Sequence, residues 1–265
     1  MSRGLACFLL AMATLAAPSA ARGDGLMLVA AGAFWMGRDD GAPEEAPLHR
    51  VFVTDFWMER AKVTNDELAA FLNATGLRPP GAERRYDEDD ADARIHLRNG
   101  RWTADTGFED HPVVEVSWFG ARDYCHWKGR RLPTEAEWEK TARGDDRRLY
   151  PWGTEPPSPD RAVFGRAYNA TAPVAGRPGG ASPYGVHDML GNLREWTATV
   201  LRPYPYKLSE GWSGVAGVVV RGASHDDSAQ ELSVTRRRSY ERRGASAGHH
   251  FVGFRCATSE DLGGY

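Results

Sequence analysis

Arg131-Leu-Pro-Thr134-Glu-Ala-Glu137-Trp138 is the stretch of this sequence that says most about the fold. Thr134 and Glu137 have the spacing of a capping box, in which the threonine hydroxyl and the glutamate carboxylate accept backbone N–H groups at the start of a helix. Gly144 suits the other end, because glycine readily takes the left-handed conformation that closes many helices. The stretch therefore predicts a short helix from Thr134 to about Gly144.

Two earlier segments carry the same kind of signal. Thr64-Asn-Asp-Glu67 is a second capping box, and its helix is expected to run to about Ala74. A further helix is expected between Ser117 and Gly129, with Cys125 on its apolar face. Cys125 is therefore expected to point into the core.

Short apolar or alternating runs predict strands around these helices. Residues 77–104 are charged and turn-rich, and predict a surface insertion without core residues. Residues 150–184 are rich in Pro, Gly and Ser, and predict long loops held in place by the burial of Trp152 and Tyr168. These patterns together predict a single irregular, loop-rich domain that contains short helices and strands. The predicted strands are Met27–Met36 in two pieces, His49–Phe56, His111–Val116 and Val218–Arg221.

The net charge and the N-terminus limit the class of protein. The 265 residues carry a formal charge of -3, so no basic field points to nucleic acid. Arg3 is followed by an apolar run, Leu5–Ala17, and then by small residues, which is the order found in secretory signal peptides. The run is too short to span a bilayer. We expect residues 1–23 to be a signal peptide, and residues 24–265 to be one exported domain, periplasmic or secreted, with no membrane insertion after cleavage.

The cysteines follow from the expected export. Cys7 leaves with the signal peptide, so only Cys125 and Cys256 reach an oxidising compartment. Two cysteines allow one pairing. A Cys125–Cys256 disulfide is therefore predicted, and two free buried thiols are the alternative.

Eight segments of the chain occur together, in this order, in one known family. They are Phe34-Trp-Met-Gly, Pro112-Val-Val-Glu-Val-Ser-Trp, Tyr124-Cys-His-Trp, Arg130-Arg-Leu-Pro-Thr-Glu-Ala-Glu-Trp-Glu139, Tyr150-Pro-Trp-Gly, Leu190-Gly-Asn-Leu-Arg-Glu-Trp196, Arg221-Gly-Ala-Ser and Gly253-Phe-Arg-Cys-Ala. Over about residues 25–258 the sequence resembles the formylglycine-generating enzyme (sulfatase-modifying factor) family. The resemblance implies an irregular α+β fold similar to a distorted C-type lectin, in which Cys125 and Cys256 match the family's structural disulfide.

The resemblance does not extend to the family's copper site. The copper of the authentic enzyme is bound by two cysteines that follow a Gly-Ser similar to Ala223-Ser224. Asp227 and Leu232 stand at those two positions, and neither supplies the thiolate that Cu(I) prefers. Copper is therefore not expected, and neither is conversion of a sulfatase cysteine to formylglycine.

The same loop contains the candidate catalytic residues Ser224, His225 and Asp227. His225 and Asp227, with His249 or His250, have the ligand types of a two-histidine, one-carboxylate Fe(II) site. Family members without the cysteine pair include iron-dependent sulfoxide synthases and exported oxidases that mature siderophores such as pyoverdine. The alternatives are polar loop residues with a surface histidine pair, or a loop aspartate that acts as a general base without metal.

A second metal site is implied by the resemblance. Carboxylates of Asp188 and Glu195, with backbone carbonyls of Gly191 and Leu193, match the family's structural calcium loop. Clustered hard oxygen ligands suit Ca²⁺. The alternative is that the two acids are solvated turn residues.

The sequence is consistent with two functions. The first is an exported oxidoreductase acting on a small molecule or a peptide, with non-heme iron as the candidate cofactor. The second is a catalytically inactive binding or accessory module that uses the C-type-lectin-like scaffold to hold a partner protein. The basic run Arg236–Arg243 has two interpretations of its own: a functional cluster that holds an anionic substrate, or a structural feature that pairs with the protein's own acids.

Overall fold

Three helices of the computed structural model lie where the capping signals predict them. The side chains of Thr64, Ser117 and Thr134 each accept a backbone N–H from the turn that follows. Gly76 and Gly144 end the first and the third of these helices with positive φ angles. The helices are α1 (Asn65–Thr75), α2 (Trp118–Trp127), α3 (Glu135–Arg143) and a short α4 (Arg242–Ala245).

The strands of the described residues form two sheets and two separate pairs. They are β1 (Leu26–Val29), β2 (Gly32–Met36), β3 (His49–Val53), β4 (Phe56–Glu59), β5 (Ile95–Arg98), β6 (Arg101–Ala104), β7 (Arg194–Val200), β8 (Val218–Arg221), β9 (Arg237–Tyr240), β10 (Val252–Gly253) and β11 (Ala257–Thr258). The larger sheet has the order β10-β7-β8-β9, and the smaller has β1-β4-β11. In the larger sheet, Glu195 of β7 lies opposite Arg221 of β8 and Gly253 of β10. The mixed α+β class predicted from the sequence is confirmed.

Large aromatic side chains fill the space between the helices and the sheets. Trp138 of α3 and Trp196 of β7 are fully buried. The indole N–H of Trp196 donates to the carbonyl of Val116 at 3.0 Å, so its burial leaves no polar atom unsatisfied. Burying one large apolar side chain contributes about 1.5–3 kcal/mol. The burial of these two side chains therefore stabilises the packing of α3 and β7 in the core.

The predicted disulfide is confirmed. The sulfurs of Cys125 and Cys256 lie 2.02 Å apart, and both side chains are fully buried. Cys125 lies on α2 and Cys256 directly precedes β11, so the bond connects the middle of the chain to its C-terminal strands.

Three predictions about local structure are wrong. His111–Val116 is not a strand, because Pro112 offers no N–H and Glu115 turns the chain with a φ of 56°. Residues 77–104 are not a coreless insertion, because they contain β5 and β6 and bury Tyr86 completely. Tyr168 was expected to be buried, and it is 65% exposed.

The structure describes residues 20–206 and 217–259. Most of the predicted signal peptide, residues 1–19, lies outside the described residues. None of the helices in the described part of the chain is long and apolar enough to cross a membrane.

Candidate active site

The loop after β8 is fixed by a close turn at Gly222. This glycine has a φ of 84°, and a Cβ there would lie 3.0 Å from the carbonyl oxygen of Met189. The turn sends Ser224 and His225 back into the protein, where both are fully buried. The predicted catalytic loop is thus an internal wall of the site rather than a surface loop.

Asp227 anchors this loop through a buried ion pair. Its two carboxylate oxygens accept hydrogen bonds from the Arg194 guanidinium at 3.1 and 2.5 Å, and one also accepts the Ser224 N–H at 2.8 Å. Burial alone would raise the pKa of Asp227, but the bonds from Arg194 outweigh it and lower the pKa. A carboxylate held in this way is a poor base and has both oxygens engaged. Asp227 therefore does not fit the metal-ligand or base role expected from the sequence.

His225 is held in one tautomer. Its Nδ1 lies 3.0 Å from the carbonyl oxygen of Asn192, and a carbonyl can only accept, so Nδ1 carries the proton. Nε2 then has a free lone pair, and it is buried without a hydrogen-bond partner among the described residues. Burial lowers the pKa of His225, which keeps the ring neutral. A fixed, neutral imidazole with an unpartnered lone pair is suited to bind a metal or to accept a proton.

The two neighbouring histidines have different surroundings. His249 lies 3.0 Å from the carbonyl of Gly244 through Nε2, and its ring stacks on Tyr240 with centroids 4.3 Å apart. His250 faces the loop after β8, with its ring centroid 6.3 Å from that of His225. The structure therefore brings His250 to the predicted site and turns His249 away from it.

Two carboxylates that the sequence analysis did not predict lie beside His250. Asp92 and Glu115 offer carboxylate oxygens that lie, together with a ring nitrogen of His250, within 4.8 Å of one another. Asp226 approaches the other side of His250, with its Oδ2 3.9 Å from Nε2. We call Asp92, Glu115, Asp226, His225 and His250 the acid–histidine cluster.

Glu115 has the most perturbed environment in this cluster. It is 2% exposed, and burial together with Asp90 and Asp92 raises its pKa to about 8. A signal for this residue was present in the sequence, because Glu115 is the one charge in the apolar run Pro112–Val116. A charge inside such a run is expensive to bury, and for that reason points to a function.

The edge of the cluster is open and aromatic. The Tyr168 hydroxyl donates to Asp92, while its ring lies 4.2 Å, centroid to centroid, from that of His250. Phe251 packs edge-on against the same histidine at 4.5 Å. Because Tyr168 is largely exposed, this edge offers an apolar surface for a substrate.

The basic run at β9 is engaged by the protein's own acids. Arg237 forms two hydrogen bonds with Glu135, at 2.9 and 2.8 Å. Arg238 lies 3.0 Å from Glu231, and Arg242 lies 2.9 Å from Glu83. These contacts favour the structural reading of Arg236–Arg243 over an anion site.

The predicted calcium ligands already hold a cation of the protein itself. The Lys62 ammonium donates to the Asp188 carbonyl and lies 2.8 Å from Glu195 Oε1, with both side chains buried. Arg255 adds two hydrogen bonds to the same carboxylate, at 2.8 and 2.9 Å. The Asp188 carboxylate accepts the N–H of Ala175 instead. These residues do not fit a calcium ion, because Lys62 and Arg255 already balance Glu195.

Glu195 gives a pH-dependent prediction. Burial alone would raise its pKa, but Arg255 and Lys62 outweigh burial and lower the pKa from 4.5 to about 2. The stabilisation from Glu195 is therefore complete above its unfolded-state pKa and is lost as the pH falls through about 2. Urea unfolding should show the largest difference between the parent and Glu195→Gln above pH 4.5, shrinking below it. A difference that grows on acidification would contradict this assignment.

Similarity to known proteins identifies the family of this chain. Over residues 12–260 the sequence matches the family described as Sulfatase-modifying factor enzyme 1-like domain. The chain belongs to this family. The matched range includes the eight segments quoted from the sequence and the loop after β8.

Three relatives show the range of the family. The formylglycine-generating enzyme of Mycobacterium tuberculosis is 31% identical over 284 residues, covering 85% of this chain and 94% of that protein. The hercynine oxygenase of Mycolicibacterium smegmatis is 36% identical over 198 residues, covering 68% of this chain and 46% of that protein. The structure of PvdO from Pseudomonas aeruginosa superposes with a TM-score of 0.68 at 26% identity, covering 88% of this chain and 93% of that one.

Several relatives are much longer than this chain. It spans between 27% and 46% of the length of the first curated relatives that it matches. Family membership and the fold therefore carry over to this chain, whereas the activity of those longer proteins does not carry over by similarity alone.

Proposed function

We propose that this protein is an exported oxidoreductase that acts on a small molecule or a peptide at the edge of the acid–histidine cluster. Relatives named as an oxygenase and as a formylglycine-generating enzyme support the reaction class. The observation that carries the proposal is His225, on the loop that follows β8: its imidazole is buried and neutral, and its Nε2 has no hydrogen-bond partner among residues 20–206 and 217–259. An orphaned buried nitrogen is costly in a merely structural loop, so it favours a role in chemistry.

Non-heme iron is the redox cofactor of this proposal. Imidazole and carboxylate groups, which this cluster combines, suit Fe(II), and bound iron supplies the dioxygen chemistry that protein side chains lack. Copper has no place in it, because Asp227 and Leu232 stand at the two cysteine positions. Calcium has no place in it either, because the Lys62 ammonium already forms an ion pair with Glu195.

The protein's own residues position the reaction. Ser224 donates its hydroxyl to Asp226, which keeps that exposed carboxylate beside His250. Tyr168 and Phe251 flank the same histidine with apolar ring surface, where an aromatic or aliphatic part of a substrate can pack. Export is supported by the predicted signal peptide and by the Cys125–Cys256 disulfide, which persists in oxidising compartments.

Oxygen uptake tests the proposal. Mature protein loaded with Fe(II) is expected to consume dioxygen when a low-molecular-weight extract of the producing cells is added. His225→Ala should abolish the uptake, while His126→Ala, which changes an exposed histidine of α2, should leave it unchanged. If the folded, iron-loaded protein consumes no oxygen with any extract fraction, the oxidoreductase proposal is wrong. Saturable binding of one purified partner protein in that case would support the binding-module reading.

A further inference from the structure

We propose that the acid–histidine cluster is a divalent transition-metal site whose ligands are the carboxylates of Asp92 and Glu115 and a ring nitrogen of His250. His225, whose ring centroid lies 6.3 Å from that of His250, joins this set only by moving toward the ion. The site differs from the one expected from the sequence, which used Asp227. It rests on the proposed function only for the redox role of the metal, since binding itself requires no catalysis.

The spacing of the donor atoms fits one ion. His250 Nδ1 lies 3.8 Å from Asp92 Oδ2, which is too long for a hydrogen bond. Two atoms bound to the same ion at about 2.0–2.2 Å lie up to about 4.4 Å apart. Asp92, Glu115 and His250 together offer ligand atoms within 4.8 Å of one another, so small side-chain shifts would close the set.

His225 supplies evidence that is independent of the acids. Metal-binding histidines usually donate their other ring N–H to a carbonyl or a carboxylate, which fixes the tautomer and leaves a lone pair for the metal. His225 has this arrangement, with Nδ1 on the Asn192 carbonyl and Nε2 without a partner in the described part of the chain. The groups that act on it electrostatically include Asp226 and His250, both members of the cluster.

The acidic surroundings of Glu115 also suit a bound cation. The ionisable groups that act most strongly on Glu115 are all acids, namely Asp90, Asp92 and Asp87. Asp227, one loop away, is by contrast balanced by two arginines. A divalent ion between Asp92 and Glu115 would displace the proton that the raised pKa keeps on Glu115, and would stabilise both groups as carboxylates. The presence of two imidazoles favours a transition metal over Ca²⁺ or Mg²⁺, which prefer all-oxygen sites.

The backbone holds these ligands together before any ion arrives. Gly248 packs against Glu115 so closely that a Cβ would lie 2.4 Å from the Glu115 carbonyl oxygen. The N–H of Glu115 donates to the carbonyl of His249 at 3.3 Å, which places His250 beside it. Asp92 is fixed from another side by Tyr168 and by Asn169, whose amide donates to its Oδ1 at 3.0 Å. Such preorganisation is typical of a functional site.

Mn(II) binding to metal-free mature protein, followed by the EPR signal of free Mn(II), tests the assignment without any substrate. We expect saturable binding to the parent. Asp92→Asn, Glu115→Gln and His250→Gln should each weaken it by at least the roughly 10–100-fold seen for changes around metal sites. Asp89→Asn and His249→Gln are the matched controls, a nearby exposed acid and the adjacent histidine, and should bind like the parent.

The outcomes separate the site from the function. Parent protein that is folded by circular dichroism and binds no Mn(II) saturably would overturn the site. Unchanged Mn(II) affinity in either Asp92→Asn or Glu115→Gln, measured on a variant that is folded, would also overturn it. Tight Mn(II) binding in a protein whose iron form consumes no oxygen would leave the site intact and remove only the oxidoreductase proposal.

Discussion

Lys62→Ala is expected to lower the free energy of unfolding by about 3 kcal/mol, the lower end of the range for breaking a buried ion pair. The lower end applies because Arg255 still neutralises part of the Glu195 charge when the ammonium is gone. The Asp188 carbonyl also loses its donor. Urea unfolding at pH 7 measures the change. Lys128→Ala, which removes an exposed lysine, is the control and should alter stability by less than about 0.5 kcal/mol.

The same variant distinguishes an internal ammonium from a calcium ion. Stability of the parent is expected to be indifferent to Ca²⁺ and to EGTA, because Lys62 already occupies the place between the Asp188 carbonyl and Glu195. Lys62→Ala frees those oxygens, so Ca²⁺ should stabilise the variant in proportion to its binding. The protein with Lys62 and the Lys62→Ala variant should both be measured with His250→Gln added, which removes the acid–histidine cluster as a second metal site. A parent that loses stability in EGTA would show that calcium, and not Lys62, serves Glu195.

The parts of the fold that the sequence predicts well depend on neighbours along the chain. A capping box is closed by groups three residues apart, so Thr64 and Thr134 reveal their helices without knowledge of the tertiary structure. The disulfide needed only a count, because two cysteines in an oxidising compartment have one pairing. The strand predicted for His111–Val116 was wrong for a local reason as well, because a hydrophobic pattern does not reveal the left-handed backbone conformation of Glu115.

The site was harder to predict because its partners come from distant segments. Asp227 and His225 are two residues apart, yet Arg194 engages the first and leaves the second available. Lys62 reaches Glu195 from the segment between β4 and α1, and no spacing rule within the predicted calcium loop could show this. Which acid is balanced and which is free is decided by tertiary contacts, so residue type alone assigns chemistry poorly.

Removing the disulfide by Cys125→Ser with Cys256→Ser is expected to cost about 4–5 kcal/mol. The bond closes a loop with a sequence separation of 131, and in the chain-entropy model so long a loop gives a stabilisation of this size. Whole domains are stable by only about 5–15 kcal/mol, so the variant should lie close to unfolding at 37 °C. Urea unfolding of the variant and of the parent in reducing agent should give the same loss, because both lack the same cross-link.

Removal of the disulfide should also weaken metal binding at the acid–histidine cluster, because the C-terminal strands connect the two. Cys256 follows Arg255, which binds Glu195, and β10 pairs with β7 through Val252 and Gly253. His250 lies two residues before β10, so loosening of β10 should weaken Mn(II) binding at temperatures where the variant is still folded. Mn(II) affinity at 10 °C and 25 °C, compared with the parent, measures this coupling. Equal affinities in both proteins at both temperatures would show that β7 and Glu115 hold His250 in place without the cross-link.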